Sequence, residues 1–281
     1  MKIVAVCTLQ AAFYTMMLTM DYESYVNPQI LPAAASAIDD ACANEAMHAA
    51  SRYALYFAPA ESSAWWKAGA RWLGRCAVSG RSLAQPVVNG VTVDCFARIT
   101  AAPRRYGFHA TLKAPFRFAR GIRRERLIRG VEHYAARAAA FVLPQLRAVQ
   151  LDDFLALCVS QQVRELAQIA ADCVMHFDNL RAPLSDAELA QRMNEPLDQR
   201  ERALLARWGY PHVLDRHRFH FSLTGRLPND DAALVRALHA AAQSMADRLA
   251  AEPLMFDAIC VFEEAAPNAP LRLVHRARFR R

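Results

Sequence analysis

Residues 104–116 read RRYGFHATLKAPF, and residues 217–227 read HRFHFSLTGRL. Each contains a four-residue unit of one kind, His109-Ala110-Thr111-Leu112 and His220-Phe221-Ser222-Leu223. In a strand successive side chains alternate between faces, so His109 shares a face with Thr111, and His220 with Ser222. A single H-x-[ST] carries little information; the doubling and the flanks give it weight. Alternation adds Arg105, Gly107 and Lys113 to the His109 face, and Arg218, Thr224 and Arg226 to the His220 face. Tyr106, Phe108, Ala110 and Leu112, with Phe219, Phe221 and Leu223, make apolar opposite faces suited to a core. Two such strands facing each other predict a cleft with two imidazoles and two hydroxyls. That is equipment for phosphoester chemistry without a metal.

Working outward, the pattern alternates. A strand is expected at 52–57 (RYALYF), then a helix capped by Ser62 or Ser63 and stopped at Gly74. Further helices fit 92–99, 123–141, 161–177, 185–193, 198–208 and 230–250, and further strands 146–151, 154–159, 254–262 and 271–279. Each histidine strand is thus followed by a helix and a pair of strands. This implies an α+β fold duplicated about a pseudo-two-fold axis, a single globule with two lobes. Residues 1–46 differ from the rest. The run 3–20 is almost free of charge, but polar residues interrupt it, and Ala35-Ser36-Ala37 lies too far beyond it for a signal peptidase site. A poorly packed extension ahead of a start at Met47 is expected, with 47–281 as one bilobal domain.

The chain has 281 residues, 54% hydrophobic and 22% charged, with a net charge of +7. This is ordinary globular composition with an arginine excess suited to anionic substrates. The seven cysteines are scattered and never in C-x-x-C spacing, which points to a reducing, cytoplasmic setting. Neither a metal site nor a cofactor is expected: three-residue spacing on a strand would put His217 and His220 on opposite faces. A membrane span is not expected either, and a monomer is.

The blocks RYALYFAP, RRYGFHATLKAPF, RALLARWGYP and FHFSLTGRLP resemble the two-histidine phosphoesterase superfamily, in the branch associated with bacterial phosphonate metabolism. Ser222 stands where that branch more often has Thr. The resemblance implies a bilobal duplicated fold, antiparallel sheets lining a central cleft with helices outside. It also implies metal-independent hydrolysis of a small cyclic phosphodiester, such as a ribose cyclic phosphate. In that chemistry one neutral imidazole of the pair His109 and His220 takes a proton from water. The other, protonated, serves the leaving group, and Thr111 and Ser222 bind the non-bridging oxygens. Lys113, Arg105, Arg218, Arg226 and Tyr106 are the candidate phosphate and substrate contacts. Tyr56, Trp208 and Tyr210 are further candidate walls. An enzyme of RNA 2′,3′-cyclic ends or 2′–5′ linkages, with an RNA terminus as partner, is one alternative. A non-catalytic phosphate or nucleotide sensor is another.

Overall fold

The computed structural model describes residues 51–194 and 196–280; the expectations for residues 1–46 lie outside these. Strand β1 (Arg52–Phe57) occupies the expected bounds. Helix α1 (Ala64–Leu73) starts at Ser63, whose side chain accepts from the Trp66 amide, and stops at Gly74 in the left-handed region. Short helices α2 (Val93–Ile99) and α3 (Ala101–Tyr106) lead into β2 (Ala110–Phe116). Helix α4 (Arg124–Ala135) and short strand β3 (Phe141–Val142) precede the hairpin β4 (Leu146–Leu151) and β5 (Phe154–Val159). Helices α5 (Arg164–His176), α6 (Asp186–Met193) and α7 (Gln199–Trp208) then lead to β6 (His220–Ser222). The chain continues through α8 (Ala232–Leu249), β7 (Met255–Phe256), β8 (Ala258–Glu264) and β9 (Arg272–Arg278).

Seven of these strands form one sheet in the order β4-β5-β6-β2-β1-β8-β9, and β3 pairs with β7 apart from it. Every strand pair is antiparallel. The architecture among the described residues is therefore mixed α+β, with eight α-helices and a mostly antiparallel sheet. The two histidine strands do not face each other across a gap between sheets. They are neighbours at the centre of one sheet.

Central strand β1 shows why RYALYF is almost continuously apolar. Tyr53, Leu55 and Phe57 enter the larger core, while Ala54 and Tyr56 enter a smaller one with Cys260 and Phe262. A strand buried on both sides needs apolar residues at both phases of the alternation. The larger core lies under α4, α5 and α8. In α8, Leu234, Leu238, Ala242 and Met245 recur at helical spacing and pack against β4 and β5. No described helix is long and apolar enough to cross a membrane.

Candidate functional site

The site is built where β2, β6 and β5 meet. Ala110 pairs with Phe221, which sets His109 opposite Ser222 and Thr111 opposite His220. Below the sheet, the buried Phe108 ring stacks on Phe221 with centroids 4.7 Å apart. Phe108 is received by Gly69 of α1, where an added Cβ would sit 2.2 Å from the ring. The α1 indole of Trp72 also donates to the Leu223 carbonyl at 2.9 Å. One helix thus pins both motifs from the core side. His109, Thr111, His220 and Ser222 are left together on the other face, as alternation requires.

The two imidazoles are anchored alike. The His109 Nδ1–H donates to the Gly107 carbonyl at 2.9 Å, and the His220 Nδ1–H donates to the Arg218 carbonyl at 2.7 Å. A carbonyl only accepts, so in each neutral ring Nε2 keeps its lone pair. The Thr111 hydroxyl donates to Nε2 of His109 at 3.3 Å. Tyr56 stacks on His109 at 3.7 Å between centroids, and Phe154 lies 5.5 Å from His220. His217 supports the strand from the side, its Nε2–H donating to the Thr111 carbonyl at 2.8 Å.

Burial pushes the His109 ring down to about 4, and its neighbour His220 adds to this, against the opposing pull of the Gly107 carbonyl. Burial also lowers His220, assisted by His217, Arg218 and His212, and it lowers His217. Both motif imidazoles are therefore neutral at pH 7. Desolvation acts on both rings, and the neighbouring histidines and Arg218 act in the same direction.

His109, Ser222, Tyr106, Phe154, Asp153 and Arg226 line a concavity of about 240 Å³, with His220 beside Phe154. Arg226 is exposed and bonds Asp153 at 2.5 Å. Three expected phosphate contacts go elsewhere. Arg105 belongs to helix α3 rather than to a strand, because Gly107 at φ 81° separates it from β2. Its guanidinium is held by the buried Glu264 carboxylate. Arg218 precedes β6, which has only three residues, and pairs with Asp152 at 2.7 Å. Lys113 is displaced by a bulge: Tyr56 opposes Thr111, but Leu55 opposes Lys113, so β2 spends an extra residue there. The Lys113 ammonium runs to the end of α5, donating to the Val174 carbonyl at 3.1 Å and to Asp178 at 3.3 Å. Thr224 is buried, and its hydroxyl accepts from the Leu155 amide. Among the described residues no group of three or more His, Cys, Asp and Glu could hold a metal ion.

Fold and site define a mixed α+β protein with two neutral imidazoles and two hydroxyls on adjacent central strands. Residues 111–272, more than half of the chain, match the family described as Protein of unknown function (DUF1045), and the chain belongs to that family. Two curated relatives are each named ribose 1,5-bisphosphate phosphokinase PhnN. The one from Janthinobacterium sp. (strain Marseille) is 44% identical over 78% of this chain and 49% of its own length. The one from Laribacter hongkongensis (strain HLHK9) is 37% identical over 64% of this chain and 41% of its own length. The chain thus spans about half the length of the curated relatives it matches. These names support the link to phosphonate metabolism. They correct the expectation of a hydrolase of cyclic phosphodiesters, the RNA-end form of it included. A phosphokinase transfers a phosphoryl group and is not a hydrolase.

Proposed function

We propose that this chain handles a phosphorylated ribose, holding one phosphate among His109, Thr111, His220 and Ser222 for the phosphoryl-transfer chemistry named in its relatives. The observation that carries this reading is the matched anchoring of the two rings, with both Nε2 lone pairs left uncommitted by the backbone. A neutral Nε2 accepts a proton from a sugar hydroxyl or a phosphate monoanion. Once protonated beside a phosphate it becomes a charged donor, the stronger kind of hydrogen bond. The hydroxyls of Thr111 and Ser222 add donors to the phosphoryl oxygens. The relatives' names support ribose 1,5-bisphosphate as the sugar phosphate.

The nine glycines of the chain never precede a lysine, so the G-x-x-x-x-G-K-[ST] loop that cradles nucleotide phosphates is not in this sequence. We therefore assign to this chain the sugar-phosphate side of the transfer. The duplicated two-histidine scaffold belongs to the same proposal, supported by the equivalent positions of His109 and His220 on adjacent strands. Calorimetric titration with ribose 1,5-bisphosphate and ribose 5-phosphate tests it. Both should bind, and His109→Ala or His220→Ala should weaken binding about 10-fold or more, as for loss of a charge-assisted hydrogen bond. No binding at millimolar concentration, or binding indifferent to both substitutions, overturns the reading.

A further inference from the structure

Among the described residues that line the histidine concavity, Arg226 is the one guanidinium and Asp153 the one carboxylate. The other polar groups on its wall are hydroxyls and the His109 imidazole, which burial keeps unprotonated. Arg226 and Asp153 pair with each other at 2.5 Å, so the lining carries no net charge. A phosphate dianion entering this concavity therefore meets a cation that is already committed to a carboxylate. The basic residues expected beside it are tied elsewhere: Arg105 to Glu264, Arg218 to Asp152 and Lys113 to Asp178. A sphere of about 240 Å³ is about 8 Å across, so a ligand filling the space lies against both His109 and Arg226.

The main chain around Arg226 is fixed while its side chain is free to move. The Gly225 amide donates to the Ile99 carbonyl at 2.7 Å, and the Leu227 amide donates to the Asp153 carbonyl at 2.6 Å. The Arg226 side chain is 86% exposed and that of Asp153 is 38% exposed. An exposed ion pair contributes little, because water screens it and both side chains lose rotamer freedom. A guanidinium on a phosphate makes two parallel charge-assisted hydrogen bonds, the stronger kind. An exchange of partners from carboxylate to phosphate is therefore favourable, and the pinned backbone keeps the guanidinium at the concavity while it happens.

We infer that Arg226 and Asp153 form an exchangeable clasp: a phosphorylated ligand in the histidine concavity draws the Arg226 guanidinium off Asp153, whose carboxylate competes with the phosphate for it. The inference rests on the sugar-phosphate reading above and adds the exchange of partners to it. The whole chain, as wild type, Arg226→Ala, Asp153→Asn, the double variant and His109→Ala, would be titrated with ribose 5-phosphate at low salt. Circular-dichroism melts would confirm that each variant is folded, and Arg226→Gln stands in should the alanine variant misfold. Arg226→Ala should weaken binding about 10-fold. Asp153→Asn should tighten it about 2–5-fold, the worth of an exposed ion pair written as a fold-change. Opposite signs are what an exchange requires, whereas a pair that only holds the loop would weaken binding in both variants. In the Arg226→Ala background Asp153→Asn should gain less than about twofold, because no guanidinium is left to release. An Arg226→Ala protein with unchanged affinity, an Asp153→Asn protein that fails to tighten, or an equal gain in both backgrounds overturns the clasp alone, provided that His109→Ala still weakens binding. Wild type that does not bind at millimolar concentration overturns the sugar-phosphate reading and the clasp together.

Discussion

Tyr56 lies nearly flat on His109, with ring centroids 3.7 Å apart and planes 22° apart. A phenol from β1 thus covers one face of the imidazole and keeps water from it. This contact and the register of β2 are one fact, since Tyr56 also opposes Thr111. The first prediction concerns that cover. Tyr56→Leu keeps an apolar side chain but removes most of the stack, so the His109 ring should titrate closer to the ordinary histidine range. Stability should fall by about 1–3 kcal/mol, as for a large change of shape in a core. Histidine chemical shifts followed against pH, with a denaturant melt, measure both.

The second prediction follows from the low His109 value of about 4. Between pH 6.5 and 4 the unfolded chain takes up a proton that the folded ring refuses. The unfolded state binds more protons there, so stability must fall as pH falls through that window, and rise with pH within it. The contribution of this residue is fully present above pH 6.5, and the loss reaches about 3 kcal/mol by pH 4. His220 and His217, also lowered by burial, act in the same direction. His109→Gln should flatten the curve between pH 4 and 6.5 in urea midpoints taken at half-unit steps. An unchanged slope would show that the ring is solvated.

A third test addresses the turn that aims the ring. Gly107 has φ 81°, and a Cβ there would sit 2.6 Å from the Ala77 Cβ. Its carbonyl is also the His109 anchor. Gly107→Ala should cost about 1–3 kcal/mol in strain and overpacking. It should weaken sugar-phosphate binding more than a surface change of equal stability cost, such as one on α8. Comparing melts and titrations of the two variants separates aim from stability.

The fourth prediction concerns Glu264, whose buried carboxylate is shared by Arg52 and Arg105 and accepts from the Asn268 amide at 3.0 Å. Burial alone would raise its carboxyl, but the two guanidiniums hold it below the ordinary value. Glu264→Gln removes the negative charge and sets an NH2 donor in place of one of the two acceptor oxygens that Arg52 and Arg105 share. A loss of about 3 kcal/mol is expected, the usual result of breaking a buried pair. Tyr106 should shift as well, because Arg105 bonds its hydroxyl at 3.2 Å. Thermal melts and tyrosine fluorescence would register these two effects.

Much of the architecture was legible because single residues carry it. Ser63 and Gly74 bracket α1, and the strands expected at 146–151 and 154–159 form a hairpin with those bounds. The shared face of His109 with Thr111 and of His220 with Ser222 was legible for the same reason. What failed was alternation carried past the ends of the strands. Arg105 sits on a helix, Arg218 lies before β6, and a bulge turns Lys113 aside. A bulge leaves no mark in a single sequence, since it depends on what the neighbouring strand presents. Burial was equally hidden: neutral rings at both motifs follow from Tyr56, Phe154 and the paired strands around them.

The pairing of β2 with β6 rests on Ala110 and Phe221, residues more than a hundred positions apart, and β6 pairs on its other side with β5 of the β4–β5 hairpin. Closing so long a loop is slow and comes after local helices and hairpins have formed. A one-residue slip of β6 against β2 would also turn the His220 imidazole into the core. The histidine face therefore exists only in molecules that have joined β2 to β6 in correct register. During refolding, recovery of the depressed His109 titration should lag the return of helical circular dichroism, which makes this ring a built-in reporter of that long-range pairing.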